Sequence, residues 1–214
     1  MKKTIILMLS ILLLAGCAAK DETNNIDSKN NTNALKEPIL KWCQLYNPNG
    51  FDTITCIISN PNSVDIDITY DLVYYKKGKE VARSTDFSNF QVSNKHDDII
   101  WANYNIPKKE DVDEIKMENI RVEKAYYNSV DATIKYKETV DDEMIFEVTH
   151  DVEPTLNNIT FVLYKDNNKN KKCDEGEVVV ASIDSTSEKE DTVSFDISGY
   201  DYTNYEIYYN AYVE

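Results

Sequence analysis

The chain of 214 residues carries 23 Lys and Arg against 38 Asp and Glu, which gives a net charge of −15. Nucleic acids and anionic membrane surfaces are polyanions, so this charge argues against either of them as the main partner. Apolar residues make up 42% of the sequence and aromatic residues 11%. This composition supports a hydrophobic core and argues against disorder over the whole length.

Residues 1–16 have the pattern of a signal peptide, with a short basic start and an almost wholly apolar run that ends in Leu14-Ala15-Gly16-Cys17. The run is shorter than the roughly 20 residues of a membrane-spanning helix. The segment resembles a bacterial lipoprotein signal. The resemblance implies cleavage before Cys17, a diacylglyceryl lipid on its sulfur, acyl chains such as palmitate, and a protein anchored to the cell membrane facing outside the cytoplasm. The alternative is an ordinary secreted protein with a chance Cys at the cleavage site.

Residues 17–37 are polar and rich in Asn, Asp, Lys and Thr, which predicts a flexible linker between the lipidated Cys17 and a folded part. From residue 38 onward, apolar and polar residues alternate. The clearest run is residues 64–72, in which every second residue from Val64 to Leu72 is apolar. Such alternation is typical of half-buried antiparallel strands, and Asn, Pro and Gly turn signals separate the runs. The sequence therefore predicts an all-β protein.

Two alternatives for Cys43 and Cys56 depend on the turn between them. A two-residue loop at Asn49-Gly50 places the two cysteines opposite each other, which permits a disulfide outside the cytoplasm. Pro48 favours a type I turn with Gly50 as a bulge, which shifts the pairing by one residue and sends the two sulfurs to opposite faces. Both alternatives remain open.

Residues 39–106 resemble the FxLYD family of bacterial lipoprotein domains. The resemblance rests on Ile57–Ser63, a strand followed by an Asn-rich turn, and on Asp71–Val81, a strand that ends in Tyr before a Gly turn. The Phe typical of the family is absent from the second of these strands. The resemblance implies an Ig-like fold outside the cell and brings no catalytic residues.

A faint repeat aligns residues 71–76 with residues 160–165. We therefore expect two Ig-like antiparallel β-sandwich domains in tandem, an FxLYD-like domain at 38–124 and a second domain at 125–214. The alternative is a chance similarity between two strands of one larger sandwich.

Residues 166–177 have oxygen-bearing side chains at the spacing of an EF-hand calcium loop. The segment resembles the calcium loops in B-type repeats of Gram-positive surface adhesins, and the resemblance implies the Ca²⁺ ligands Asp166, Asn168, Asn170, Asp174 and Glu177, with Lys172 through its carbonyl. Position six, normally Gly, is Lys171, which weakens the expected binding. The alternative is a solvated polar loop.

The C-terminal segment is rich in Tyr, and Tyr208 and Tyr212 fall on the opposite strand face from the predicted core residues Tyr205 and Tyr209. An exposed pair of this kind binds sugars or a peptide. The alternative is a contact between two sheets.

No motif of a known catalytic class occurs, and His96 and His150 are the only histidines. We therefore expect no enzymatic activity. The leading hypothesis is a lipid-anchored extracytoplasmic binding module with an unknown protein or glycan partner. The alternatives are a calcium-stabilised structural spacer and a substrate-binding lipoprotein of a transporter.

Overall fold

The computed structural model describes residues 34–213, so the predictions for the signal peptide 1–16, for Cys17 and for most of the linker lie outside the described residues. Within this part, the chain contains no α-helix and two 3₁₀ turns, Pro48–Gly50 and Lys109–Asp111. The strands are β1 Ile39–Tyr46, β2 Thr53–Ser59, β3 Ile66–Lys76, β4 Lys79–Val92, β5 Asp98–Ala102, β6 Glu114–Lys124, β7 Asn128–Ser129, β8 Ala132–Val140, β9 Glu143–His150, β10 Leu156–Tyr164, β11 Val178–Thr186, β12 Glu190–Asp196 and β13 Asn204–Val213. All pairings are antiparallel, which confirms the predicted all-β class.

The two halves of the described chain have the same strand pairing. The first half forms the sheets β1-β2-β5 and β4-β3-β6, and the second half forms the sheets β8-β9-β12 and β11-β10-β13, the latter extended by β7. Each half is thus a sandwich of two sheets. Each sheet draws its strands from one side of residue 125, while residues 34–214 group as one compact unit. The number of independently folding domains stays a prediction.

Alternation along β3 builds the first core. Ile66, Ile68 and Leu72 are buried on one face, whereas Asp67 and Asp71 on the other face remain partly exposed. The strand begins at Ile66, two residues later than its apolar pattern begins, because a turn held by Asn60 occupies the preceding residues. The buried face packs against β1, β2 and β5.

Aromatic rings dominate the second core. Phe161 of β10 stacks on Phe195 of β12 with ring centroids 4.6 Å apart, and Phe146 of β9 meets Phe161 at 5.6 Å. Such pairs add about 0.5–1.5 kcal/mol to the free energy gained by burying their area. This core joins the two sheets of the second half.

A third core joins the two halves. Ile57 of β2 and Ile99 of β5 pack with Val162 and Tyr164 of β10. As a result β2 and β10 are covered on both faces, and the four sheets stack as layers in the order β4-β3-β6, β1-β2-β5, β11-β10-β13 and β12-β9-β8. The halves therefore stack head to tail, since the β10 sheet of the second half packs on the β2 sheet of the first.

Candidate functional site

A groove of about 550 Å³ opens between the two inner layers, at the side where β4, β5, β10 and β13 come together. Of the described residues that line it, seven are aromatic and none is Lys, Arg or His. Its volume lies within the roughly 300–1,000 Å³ of small-molecule sites. We refer to it as the inter-sheet groove.

Strand register explains the floor of the groove. On the face of the β10 sheet that looks toward the first half, Ile183, Thr160 and Tyr208 lie side by side on three neighbouring strands. The next row of the same face pairs Asn158 with Asn210. The side chains of Asn158 and Thr160 make no hydrogen bond within residues 34–213, so both retain free hydrogen-bonding groups.

Three tyrosines form the rim. Tyr127 stacks on Tyr212 with centroids 5.1 Å apart and an interplanar angle of 9°, and Tyr126 meets Tyr127 edge-on at 4.9 Å. Tyr126 is 83% exposed. Trp101 of β5 lines the same groove from the first half. The groove thus offers aromatic surface from both halves of the chain.

Gln91 of β4 is the best-buried amide of the groove, at 5% exposure. Its Nε2 donates to Ser129 Oγ at 3.1 Å, and its backbone oxygen accepts a hydrogen bond from Asn210 Nδ2 at 2.6 Å. Its side-chain Oε1 is buried and has no hydrogen-bond partner in the described part of the chain. An unpaired buried acceptor costs about 1–3 kcal/mol.

The charges at the groove are both acidic. Asp67 accepts the backbone N–H of Tyr126 at 3.1 Å, and Asp98 accepts the backbone N–H of Ser93 at 2.7 Å. Burial raises the pKa of Asp98 well above its usual range. His96, whose Nδ1 lies 3.7 Å from Asp98 Oδ1, is not part of the lining. The described lining therefore offers no cation to an anionic ligand.

The structure brings Tyr208 and Tyr212 into one groove, although neither is freely exposed. The Tyr208 hydroxyl donates to Glu206 Oε2 at 2.5 Å, and its ring packs against the core between the halves. Burial raises the pKa of Tyr208. Sequence reasoning missed Gln91, Trp101 and Asn158, because they lie on other strands and no local pattern links them to the Tyr-rich segment.

The proposed calcium loop connects β10 to β11. Asp166 accepts the backbone N–H groups of Asn170 and Lys171 at 3.0 and 2.9 Å, and Asn168 Oδ1 accepts the N–H of Asn170 at 3.0 Å. Lys171, at position six, has a φ of 62°, the left-handed conformation for which Gly is usually selected. The side-chain oxygens thus point inward around a tight turn.

The end of the loop is tied to the rest of the protein. Glu177 is buried and accepts the N–H groups of Asn167 at 2.8 Å and Asp174 at 3.2 Å. The side chain of Gln44 in β1 accepts the N–H groups of Gly176 and Val178 and donates to the backbone oxygen of Val178, each at 2.9 Å. The loop is therefore fastened to the first half of the chain.

The predicted ligand side chains also bond one another. Asn168 and Asn170 both donate from Nδ2 to Asp174 Oδ2 at 2.7 Å, and Lys172 donates its N–H to Asn170 Oδ1 at 2.8 Å. Across residues 34–213, no group of three or more His, Cys, Asp or Glu side chains is arranged to hold a metal ion. Three of the six predicted ligands, Asp166, Asp174 and Glu177, are carboxylates, and they do not form such a group.

Cys43 and Cys56 are joined by a disulfide, with Cα atoms 4.1 Å apart. They face each other in the register of the first alternative, but the connecting loop spans residues 47–52 instead of two residues. A 3₁₀ turn at Pro48–Gly50 fills the loop, so Pro48 favours a turn without shifting the pairing. Cys173, the free cysteine of the described residues, is buried, and burial raises the pKa of its thiol.

Cys17, the predicted lipidation site, lies outside the described residues. Across residues 34–213, the structure contains no helix that is long and apolar enough to cross a membrane. Comparisons with protein-family models, with curated proteins and with solved structures find no match for this chain.

Proposed function

We propose that this chain is a non-catalytic binding module, held at the outer face of the cell membrane by a diacylglyceryl lipid on Cys17, and that the inter-sheet groove is its binding site. One observation carries the proposal. In a groove of about 550 Å³, seven of the described lining residues are aromatic, and the lining side chains of Asn158 and Thr160 make no hydrogen bond in the described part of the chain. The expected partner is a protein or a glycan.

The placement of the histidines supports a non-catalytic role. His150 is buried at the end of β9, where its Nε2 lies 2.9 Å from Asn157 Nδ2, and it does not line the groove. Asp98 and Asp67, the two carboxylates at the groove, each accept a backbone N–H. The imidazole beside Asp98 belongs to His96, whose Nδ1 lies 3.7 Å from Asp98 Oδ1, and among the described residues neither histidine lines the groove.

In-cell crosslinking tests the binding site. p-Benzoylphenylalanine is placed at Tyr126, which is exposed at the rim, and at Tyr104, which is 77% exposed and not part of the lining. We expect light-dependent adducts from position 126 and none of the same mass from position 104. Equal adducts from both positions, or none from either, would remove the groove as the binding site.

Lipid labelling tests the anchor. With an alkyne analogue of palmitate, the wild-type chain and the Cys173→Ser variant should incorporate label, because the Cys173 thiol is buried. Cys17→Ser should incorporate none and should leave the membrane fraction, because the thioether cannot form. Label retained in Cys17→Ser contradicts the anchor. The sequence basis for this function is the resemblance of the N-terminal segment to bacterial lipoprotein signals and of residues 39–106 to FxLYD domains.

A calcium-stabilised structural spacer is the second candidate function. The positive φ of Lys171 favours it, because the backbone adopts the turn that an EF-hand loop needs at position six. Ca²⁺ at about ten times its Kd should stabilise the protein by about 1.4 kcal/mol and raise the Tm by about 3–6 °C. Asp166→Ala should abolish this shift, whereas Asp201→Ala, an exposed carboxylate outside the loop, should retain it. A wild-type Tm that is equal in Ca²⁺ and in EDTA excludes the spacer.

A further inference from the structure

We infer that the inter-sheet groove binds a neutral oligosaccharide, an inference that rests on the proposed binding function and names its ligand class. A pyranose ring has one face of C–H groups and a rim of hydroxyl groups. The groove matches both features, with aromatic rings on its walls and amide and hydroxyl groups on its floor.

The aromatic part is held in place before any ligand arrives. Tyr127 and Tyr212 are stacked on each other, and β7 fixes their segments by pairing Ser129 with Tyr212. Tyr126 remains 83% exposed beside them and presents its ring to solvent. Rigid tyrosine rings lose little conformational entropy when a ligand packs on them, so they suit an apolar sugar face.

The polar part has free capacity for hydroxyl groups. Gln91 Oε1 lacks a donor, and Asn158 and Thr160 make no side-chain hydrogen bond in the described part of the chain. A hydroxyl group both donates and accepts, and an amide side chain does the same. A sugar with adjacent hydroxyl groups can therefore bond the Asn158 amide, which both donates and accepts.

Charge excludes the acidic glycans and disfavours basic peptides. Among the described residues, the lining holds two aspartates and no Lys, Arg or His, and the chain carries a net charge of −15, so an anionic polymer is repelled. Asp67 already accepts the Tyr126 N–H, and the raised pKa of Asp98 lowers its charge. Neither carboxylate is thus fully available to a Lys or Arg side chain.

The topology disfavours the addition of an extended peptide beside Tyr212. The groove is walled by the faces of two sheets, and β13 is paired with β10 on one edge and with β7 on the other. At Tyr212 and Val213 both backbone edges of β13 are paired, so no further strand can add there, whereas β4 and β5 are edge strands of their own sheets. Side-chain contacts from sheet faces suit a saccharide chain.

The test uses the full chain in a zwitterionic detergent without a sugar headgroup. The probes are the neutral hexasaccharides of cellulose, starch, mannan, xylan and chitin. A hexalysine peptide represents basic peptides, the competing ligand class. Trp42 and Trp101 are the two tryptophans, so Trp42→Phe leaves the groove residue Trp101 as the fluorescent reporter. We expect at least one hexasaccharide to change the fluorescence saturably with a Kd below about 1 mM.

Two matched substitutions locate the binding. Tyr126→Ala should weaken binding about tenfold or more, and Tyr104→Ala, at an equally exposed tyrosine outside the groove, should leave it unchanged. Asn158→Ala should also weaken it. Tyr126→Ala and Tyr104→Ala should both retain the wild-type Tm, so that a loss of binding can be distinguished from a loss of folding.

Each contrary outcome has a distinct meaning. If no hexasaccharide binds, or if Tyr126→Ala leaves binding unchanged, the oligosaccharide inference is wrong. If hexalysine binds and Tyr126→Ala weakens it, the inference fails while the proposed binding groove stands. If crosslinking from position 126 equals that from position 104, the proposed function itself fails.

Discussion

Replacing Gln44 with Ala removes three hydrogen bonds at once from the contact between the two halves. Gln44 is 7% exposed, accepts the N–H groups of Gly176 and Val178, and donates to the Val178 oxygen, all at 2.9 Å. In the variant, both backbone groups of Val178 lose their partner inside a buried contact. The exposed Gly176 can bond water instead.

The structure sets the size of this effect. Each buried polar group left without a partner costs about 1–3 kcal/mol, and two such groups, partly relieved by entering water, give a loss of about 2–4 kcal/mol. For a folded part of this size, that loss lowers the Tm by about 4–16 °C. Urea unfolding of the full chain measures the change directly.

A control on the same strand makes the test specific. Lys41→Ala removes an exposed ion pair with Asp97 at 2.6 Å, which is worth about 0–1 kcal/mol. We expect Gln44→Ala to cost at least twice as much as Lys41→Ala. If the two variants unfold at the same urea concentration with equal slopes, the argument that Gln44 fastens the halves is wrong.

Three further predictions follow from the cores, the disulfide and the buried carboxyl. Phe161→Ala should lower the free energy of unfolding by about 3–5 kcal/mol, because the ring is buried and stacks on Phe195, and Phe161→Leu should cost less; equal losses would contradict the packing argument. Replacing Cys43 and Cys56 together with Ser should cost about 2–4 kcal/mol, as expected for a loop of this length, and a stability unchanged by reductant in the wild type would refute it. Because the folded pKa of Asp98 is raised, the unfolded state releases its proton first, and the wild type loses stability as the pH rises through the window from the ordinary Asp pKa to the raised one. Asp98→Asn should remove this loss. In urea unfolding, the free energy of unfolding of the variant should equal that of the wild type below this pH window and exceed it by a growing amount through the window. A difference that is constant with pH would contradict the assignment.

The strands themselves could be predicted because burial of one face leaves a local trace. In β3, Ile66 and Ile68 alternate with Asp67, so the sequence contains the period of two directly. The repeat of residues 71–76 at 160–165 falls on β3 and β10, which occupy equivalent central positions in their sheets. Local spacing also predicts the carboxylates and amides of the loop that begins at Asp166, because they are close in the chain.

The candidate site could be predicted only in part. Tyr208 and Tyr212 share a strand, so their common face follows from alternation. Gln91 and Trp101 reach the same groove from the other half, and their neighbours in the chain give no sign of it. The unpaired oxygen of Gln91 is likewise a property of its packing, since the same residue on an open strand would bond water.

The sequence by itself determined an acidic chain with an all-β body and predicted a lipoprotein signal, because charge, alternation and signal pattern are local properties. The tertiary structure decided how the halves stack. Ile57 and Val162 pack against each other where the two halves meet. The outermost sheet faces instead carry charged residues such as Asp71 and Glu147. Burying such charges without partners is costly, so the stack is limited to four layers. The groove exists only because these distant strands are pressed together, and contacts between residues far apart in the chain leave no periodic signal in it.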